Sequence, residues 1–130
     1  MRDEDVEAVR RGYEAWNRGD VGAVLELVHP DIEWRPGEDS PEAGENQGRD
    51  GFRGFIESWL ESFEDLSIVP EELVVQGDCV VTMVRQRGRG RVSGVELNVL
   101  TAHVWRIRDG RAVGWYAYRN REDALAGATV

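Results

Sequence analysis

The sequence predicts an α+β domain in which three N-terminal helices cover one face of a curved, mixed, mostly antiparallel sheet, followed by a short C-terminal helix. Helical periodicity fills most of the first half of the chain, and strand-like runs fill most of the second half, an order typical of α+β proteins. Two aromatic runs flank Asp109-Gly110. An Asp-Gly step between such runs indicates a tight hairpin, because glycine accepts a positive φ. A cone-like cavity between the helices and the concave face is the natural pocket of this layout.

Composition indicates a single domain spanning residues 1–130. A chain of 130 residues with 41% hydrophobic residues and five Trp can bury a substantial core. The N-terminal segment MRDEDVEAVRR is charged and lacks the apolar region of a signal peptide, and no apolar run approaches the roughly 20 residues of a membrane span. We therefore expect a cytoplasmic protein that does not associate with membranes. The single Cys79 is expected to be a small buried side chain.

The charge distribution argues against nucleic acid as a partner, because a net charge of −9 repels phosphates. The segment RQRGRGR is a local exception, since its alternating arginines would share one face of a strand. They are Arg85, Arg87, Arg89 and Arg91. A solvated strand end is the simplest interpretation. A site for an anionic ligand group is the alternative, and nucleic acid is the least favoured.

The first half of the chain predicts three helices. The first covers residues 3–18, with an apolar stripe that repeats at helical spacing: Val6, Val9, Tyr13 and Trp16. Asp20 is a candidate N-cap for a second helix over residues 21–28, which His29-Pro30 ends because proline disfavours a helical residue before it. A third helix over residues 49–63 carries the strongest stripe, formed by Phe52, Phe55, Ile56, Trp59, Leu60 and Phe63.

Strand-like runs make up most of the rest. A short strand is predicted over residues 31–35. The polar, acidic loop 36–48 is the best candidate for a mobile lid. Turn signals separate four further runs, which predict strands over residues 66–75, 79–87, 95–107 and 112–119. A short helix over residues 120–126 follows.

Five segments together resemble the SnoaL-like branch of the nuclear transport factor 2-like superfamily, which includes ketosteroid isomerases and polyketide cyclases. They are YEAWNRGD at 13–20, HPDIEW at 29–34, GRDG at 48–51, RIRDGR at 106–111 and YRNREDAL at 118–125. The resemblance implies a cone-shaped α+β barrel and a homodimer that packs through the sheet. It does not fix the activity, because this superfamily also contains epoxide hydrolases, dehydratases and members without known chemistry.

The catalytic carboxylates of such relatives are not matched here. In ketosteroid isomerase relatives a carboxylate base follows the first strand, and the matching position is close to Pro36, which cannot accept a proton. Glu38, two residues further on, is a possible substitute. In cyclase and epoxide hydrolase relatives, ionisable residues project inward from the last strand, and the matching positions look like Trp115 and Ala117.

One polar side chain and a set of mainly aromatic ones are candidates for the site. His103 is the candidate catalytic residue, since histidine is the commonest base near neutral pH. Because the register of its strand is open, a structural or interface role is the alternative. The candidate pocket residues share a predicted inward position: Tyr13, Trp16, Trp34, Phe55, Trp59, Trp115 and Arg119. Core packing is the alternative for the aromatic members, and a structural ion pair is the alternative for Arg119.

Neither a cofactor nor a metal is expected. Two distant His and one Cys do not make a ligand set, and no Gly-rich loop lies between a strand and a helix. Three functions remain. The first is cofactor-free proton transfer on a hydrophobic small molecule, as in an isomerase, cyclase or hydratase. The second is small-molecule binding without chemistry. The third is a protein-interaction subunit that uses the outer sheet face, where Tyr116 and Tyr118 are expected.

Overall fold

The computed structural model describes residues 2–37 and 44–128. Within these residues it contains four helices and six strands. The helices are α1 (Asp3–Asn17), α2 (Val21–Glu26), α3 (Arg49–Ser62) and α4 (Arg121–Ala128). The strands are β1 (Val28–Arg35), β2 (Asn46–Gln47), β3 (Phe63–Gln76), β4 (Cys79–Gly90), β5 (Glu96–Arg108) and β6 (Arg111–Tyr118). The predicted α+β class is confirmed.

The six strands form one mixed sheet in the order β2-β1-β6-β5-β4-β3. Strands β3 to β6 form an antiparallel meander, whereas β1 lies parallel to β6. The sheet is therefore an open cone, because the edge strands β2 and β3 do not pair with each other. The register aligns Thr82 with His103 and His103 with Ala117, which fixes the face that each of these side chains occupies.

The hairpin between β5 and β6 forms at the predicted turn. Asp109 and Gly110 both have positive φ, at 53° and 78°, as a two-residue type I′ turn requires. The predicted N-cap of α2 is also present, because the Asp20 carboxylate accepts a hydrogen bond from the backbone N–H of Ala23 at 3.1 Å.

The chain between α2 and α3 differs from the prediction. Helix α2 ends at Glu26, and strand β1 already begins at Val28. The expectation that His29 is a helix-end residue is therefore wrong: His29 is a strand residue whose Nδ1 accepts a hydrogen bond from the Asp31 backbone N–H. The short strand β2 was not predicted. Most of the proposed lid, together with Glu38, lies outside the described residues.

The sheet separates two apolar layers. On the concave face, α1, α2 and α3 pack against alternate residues of the strands, and this layer holds the large aromatic side chains. On the outer face, α4 packs against β4, β5 and β6, and both Tyr116 and Tyr118 join that layer as predicted. Cys79 is fully buried in the outer layer, as expected of a small apolar side chain.

Helix α1 is tied to the sheet by one amide side chain. Asn17 donates from Nδ2 to the Ile68 carbonyl at 2.6 Å and accepts from the Ile68 backbone N–H at 2.5 Å. Two hydrogen bonds to one residue make the amide a substitute for a strand neighbour, which fixes the position of α1 over the concave face. None of the helices in the described part of the chain is long and apolar enough to span a membrane.

Candidate functional site

The Tyr13 hydroxyl is the centre of a buried hydrogen-bond network on the concave face. It accepts a hydrogen bond from Trp105 Nε1 at 2.8 Å and lies 2.6 Å from Thr82 Oγ1 and 2.8 Å from His103 Nδ1. Tyr13 comes from α1, Thr82 from β4, and both His103 and Trp105 from β5. The four side chains are at most 4% exposed, so the network is sealed between the helix and the sheet.

Two proton arrangements satisfy this network. In the first, Tyr13 donates to His103 Nδ1, and Thr82 donates to Tyr13. In the second, His103 Nδ1–H donates to Tyr13, Tyr13 donates to Thr82, and Thr82 donates to the His103 carbonyl 3.4 Å away. Because a hydroxyl has one proton and two lone pairs, the Tyr13 hydroxyl is saturated in both. It therefore has no bonding capacity left for a ligand.

Burial keeps both titratable members of the network neutral. Desolvation lowers the pKa of His103 to about 3. It raises the pKa of Tyr13 well above its ordinary value, although the hydrogen bonds with Thr82 and Trp105 act in the opposite direction. Removing a charge from water is unfavourable unless a partner charge compensates. A neutral imidazole and a neutral phenol are thus the forms present at physiological pH.

An aromatic cluster surrounds the network. We use this name for the seven buried rings of Tyr13, Trp16, Trp34, Phe52, Phe55, Trp105 and Trp115. Neighbouring ring centroids in the cluster lie 5.4 to 6.5 Å apart, within the range of favourable aromatic contacts. The His103 ring stands edge-on to Trp115 with centroids 4.9 Å apart, which joins the network to the cluster.

Helix α3 packs closely against the cluster because Gly51, in its first turn, has no side chain. A Cβ at Gly51 would lie 3.2 Å from the Trp34 ring, which is tighter than an ordinary contact. Gly48, at the N-terminus of α3, has a φ of 104°, and its carbonyl accepts a hydrogen bond from Trp34 Nε1 at 3.2 Å. The GRDG segment therefore sets how closely Phe52 and Phe55 approach the sheet.

Two indole N–H groups in the cluster have no partner. The Nε1 atoms of Trp16 and Trp115 are buried and make no hydrogen bond within the described part of the protein. The Trp34 and Trp105 indoles, by contrast, donate to Gly48 and Tyr13. Leaving a buried donor unpaired costs about 1–3 kcal/mol, so we expect an acceptor from outside the described protein at these two groups.

The structure brings together most of the predicted site residues. Tyr13, Trp16, Trp34, Phe55 and Trp115 lie in the aromatic cluster with exposures between 1% and 8%. Trp59 is half-buried and packs at the edge of the concave layer, with its ring centroid 4.8 Å from that of Phe63. His103 occupies the concave face, which answers the question of register that the sequence left open.

Arg119 does not join them. It follows the last residue of β6 and is exposed, so the expectation that it points inward is wrong. The alternation that places Trp115 and Ala117 on the concave face stops at Tyr118, where the chain leaves the sheet to begin α4. Pro36, close to which the resemblance to isomerase relatives puts their carboxylate base, is buried.

Sequence reasoning missed three contributors, Thr82, Trp105 and Phe52. Phe52 was assigned to the apolar stripe of the third helix, and the face of the strand that carries Trp105 was left open with that of His103; both side chains are buried in the cluster. Thr82 was detectable as the one polar residue in the run CVVTMV. Its pairing with His103 in the sheet register depends on a contact that sequence periodicity does not contain.

The described interior contains no ionised group. The buried polar side chains are Thr82, Gln86 and His103, and no Asp, Glu or Arg is buried. No group of His, Cys, Asp or Glu among these residues could hold a metal ion. The interior can thus make apolar contacts and neutral hydrogen bonds.

A concavity lies on the outer face beside β1, β6 and β5. Its volume is about 600 Å³, and its lining is mainly charged: His29, Asp31, Glu33, Arg106, Arg108, Asp109, Arg111, Val113 and Tyr116. Within it, Tyr116 donates to Glu33 at 3.2 Å. We call this concavity the outer cleft. Its mixed charge contrasts with the aromatic cluster on the other side of the sheet.

The arginine-rich strand end does not form a concentrated cationic site. Arg85, Arg89 and Arg91 contact the carboxylates of Glu71, Glu96 and Glu64 at 3.5, 3.8 and 3.7 Å. These pairs are largely solvent-exposed, and they offset the charge of three of the four arginines of this segment. The pattern favours the solvated strand end over the site for an anionic ligand.

Comparison with known proteins identifies the family. Residues 9–115 match the SnoaL-like domain, and the chain belongs to that family, within the nuclear transport factor 2-like superfamily. No curated protein matches the sequence. The family defines the fold. What the concave face does must be inferred from the residues that line it.

Several solved structures share the whole fold. An NTF2-like protein of unknown function from Burkholderia pseudomallei is 25% identical with a TM-score of 0.81, over 99% of this chain and 100% of that one. An NTF2-like protein from Burkholderia thailandensis is 27% identical with a TM-score of 0.79, over 100% and 99%. TerC, crystallised with polyporic acid, is 22% identical with a TM-score of 0.79, over 98% and 100%.

Proposed function

We propose that the protein binds an uncharged, largely apolar small molecule within the aromatic cluster. The observation that carries this proposal is the contiguous set of seven buried rings around a neutral polar network, with no ionised side chain buried among the described residues. Apolar ligand sites are lined mainly by aromatic and aliphatic groups with a few placed polar atoms. Rings that contact one another in the free protein would contact the ligand in the complex.

The α3 side of the cluster is the proposed route to the interior. Phe55 is the most exposed ring of the cluster at 8%, and Trp59, one turn further along α3, is half-buried. The other rings are at most 4% exposed. Displacement of the α3 side chains therefore exposes the cluster with less disruption than movement of the sheet.

Proton-transfer catalysis is the second candidate. In the second proton arrangement His103 Nε2 carries the lone pair, and no described residue donates to it, so it could act as a base. Two observations favour binding over this chemistry. A pKa of about 3 makes the imidazole a weak proton acceptor, and no buried carboxylate supports it in the described interior.

The bicyclic ketone 1-tetralone tests both candidates. Ala117 lies beside His103 on the concave face, so Ala117→Leu should fill the interior and weaken tetralone binding by at least about tenfold, by analogy with the steric effect of overpacking. Ala126→Leu adds the same side chain at an exposed position on α4 and should leave the affinity unchanged. Isothermal titration measures both. Equal affinities for the wild type and both variants, or no binding at all, would contradict the proposal.

The same incubation in D₂O separates binding from catalysis. The binding function predicts that tetralone recovered from the protein carries no more deuterium at the carbon beside its carbonyl than tetralone kept in buffer. Protein-dependent exchange that His103→Gln abolishes would instead establish the second candidate.

A further inference from the structure

The two unpartnered indoles specify more about the ligand than the aromatic lining does. Four of the five Trp are buried, and they divide evenly. Trp34 and Trp105 donate to protein acceptors, whereas Trp16 and Trp115 do not. Buried indole N–H groups usually find a partner. The described protein supplies no acceptor to the second pair, so we expect one from outside it.

The two unpartnered donors belong to neighbouring rings. The Trp16 and Trp115 centroids are 6.2 Å apart, and their planes are inclined by 47°. Gln86 Oε1 is the third unpartnered buried atom, but it lies four residues along β4 from Thr82. At about 3.3 Å per residue that separates it from the network by roughly 13 Å. The two unpartnered donors therefore belong to neighbouring rings of the cluster, and the unpartnered acceptor lies away from the network.

We propose that the ligand carries a neutral acceptor oxygen, such as a ketone or quinone carbonyl, to which the Trp16 and Trp115 indoles donate. This inference rests on the proposed function, since it specifies the molecule that enters the cluster. Tyr13 cannot take this role, because its hydroxyl is saturated by Trp105, Thr82 and His103.

Charge excludes a carboxylate or phosphate in this position. Such a group would need a buried cation, and the buried polar side chains of the described interior are Thr82, Gln86 and His103. An anion transferred there without a partner charge is strongly disfavoured. A carbonyl oxygen accepts two hydrogen bonds without carrying a net charge, which matches two neutral donors.

The matched probes are 1-tetralone and tetralin, which differ in the carbonyl alone. We expect wild-type protein to bind tetralone about tenfold more tightly than tetralin, since each neutral hydrogen bond contributes severalfold in affinity. Trp16→Phe and Trp115→Phe should each reduce this ratio. Taking the ratio cancels the loss of ring area, which affects both probes. Trp34→Phe is the matched control, because it shortens a ring of the same cluster whose N–H is already bound to Gly48, and it should preserve the ratio.

The indole ¹⁵N–¹H signals can be measured on the wild-type protein, so this test does not depend on the folding of any variant. Tetralone should move the Nε1–H signals of Trp16 and Trp115 downfield, and tetralin should not. If both probes bind equally and Ala117→Leu weakens both, the interior site stands and the acceptor inference is overturned. If Ala117→Leu weakens neither probe, the proposed function and this inference both fail.

Discussion

Replacing His103 by Gln should reduce, by about 3 kcal/mol, the loss of unfolding free energy that accompanies acidification from pH 7 to pH 4. In the unfolded chain His103 gains a proton below its ordinary pKa of about 6.5, whereas burial lowers its pKa in the folded protein to about 3. The unfolded state thus binds more protons throughout this window. The stability that neutral His103 allows is complete above pH 6.5 and is lost progressively towards pH 3, at about 1.4 kcal/mol per pH unit.

Urea denaturation followed by Trp fluorescence across this pH range measures the effect. Other groups contribute to the acid sensitivity of both proteins, so the difference between the two profiles isolates His103. Parallel profiles for the wild type and His103→Gln would show that His103 is not held neutral by burial.

Tyr13→Phe should lower the free energy of unfolding by about 2–4 kcal/mol, because it removes one hydroxyl and leaves three buried partners without it. An unpaired buried group costs about 1–3 kcal/mol. Thr82 regains part of this through the His103 carbonyl 3.4 Å away. The same urea titration at pH 7 gives the value.

Two comparisons make the Tyr13 result specific. Tyr116→Phe removes a hydroxyl that donates to Glu33 in the solvent-accessible outer cleft and should cost less than about 1 kcal/mol. Adding Thr82→Val to Tyr13→Phe removes one of the unpaired groups, so the double variant should be more stable than the sum of the single effects predicts. Equal losses for Tyr13→Phe and Tyr116→Phe would contradict a saturated, buried network.

The sequence predicted the elements of this fold because the relevant forces are local. The apolar stripe of α3 and the Asp109-Gly110 turn depend on residues a few positions apart, and both were located within a residue or two. The end of α2 was misplaced because the rule for residues before proline was applied at His29. In the structure the chain leaves the helix at Leu27 and pairs Val28 with Ala112 of β6.

The site was only partly predictable, since it depends on contacts across the sheet. Inward positions were assigned correctly to Trp115 and Ala117, where alternation along one strand suffices. The same alternation failed at Arg119, because it lies beyond the last residue of β6. The partnership of Tyr13 with Thr82 and His103 joins residues 69 and 90 positions apart, a separation that no local pattern encodes.

The most direct test of the interior site is the pattern of intermolecular nuclear Overhauser effects between 1-tetralone and the protein. The account predicts contacts from the tetralone aromatic protons to the ring protons of Trp115, Phe55 and Trp16, on the concave face. Contacts confined to Tyr116 and Val113, which line the outer cleft, would place the ligand on the opposite side of the sheet and contradict the account.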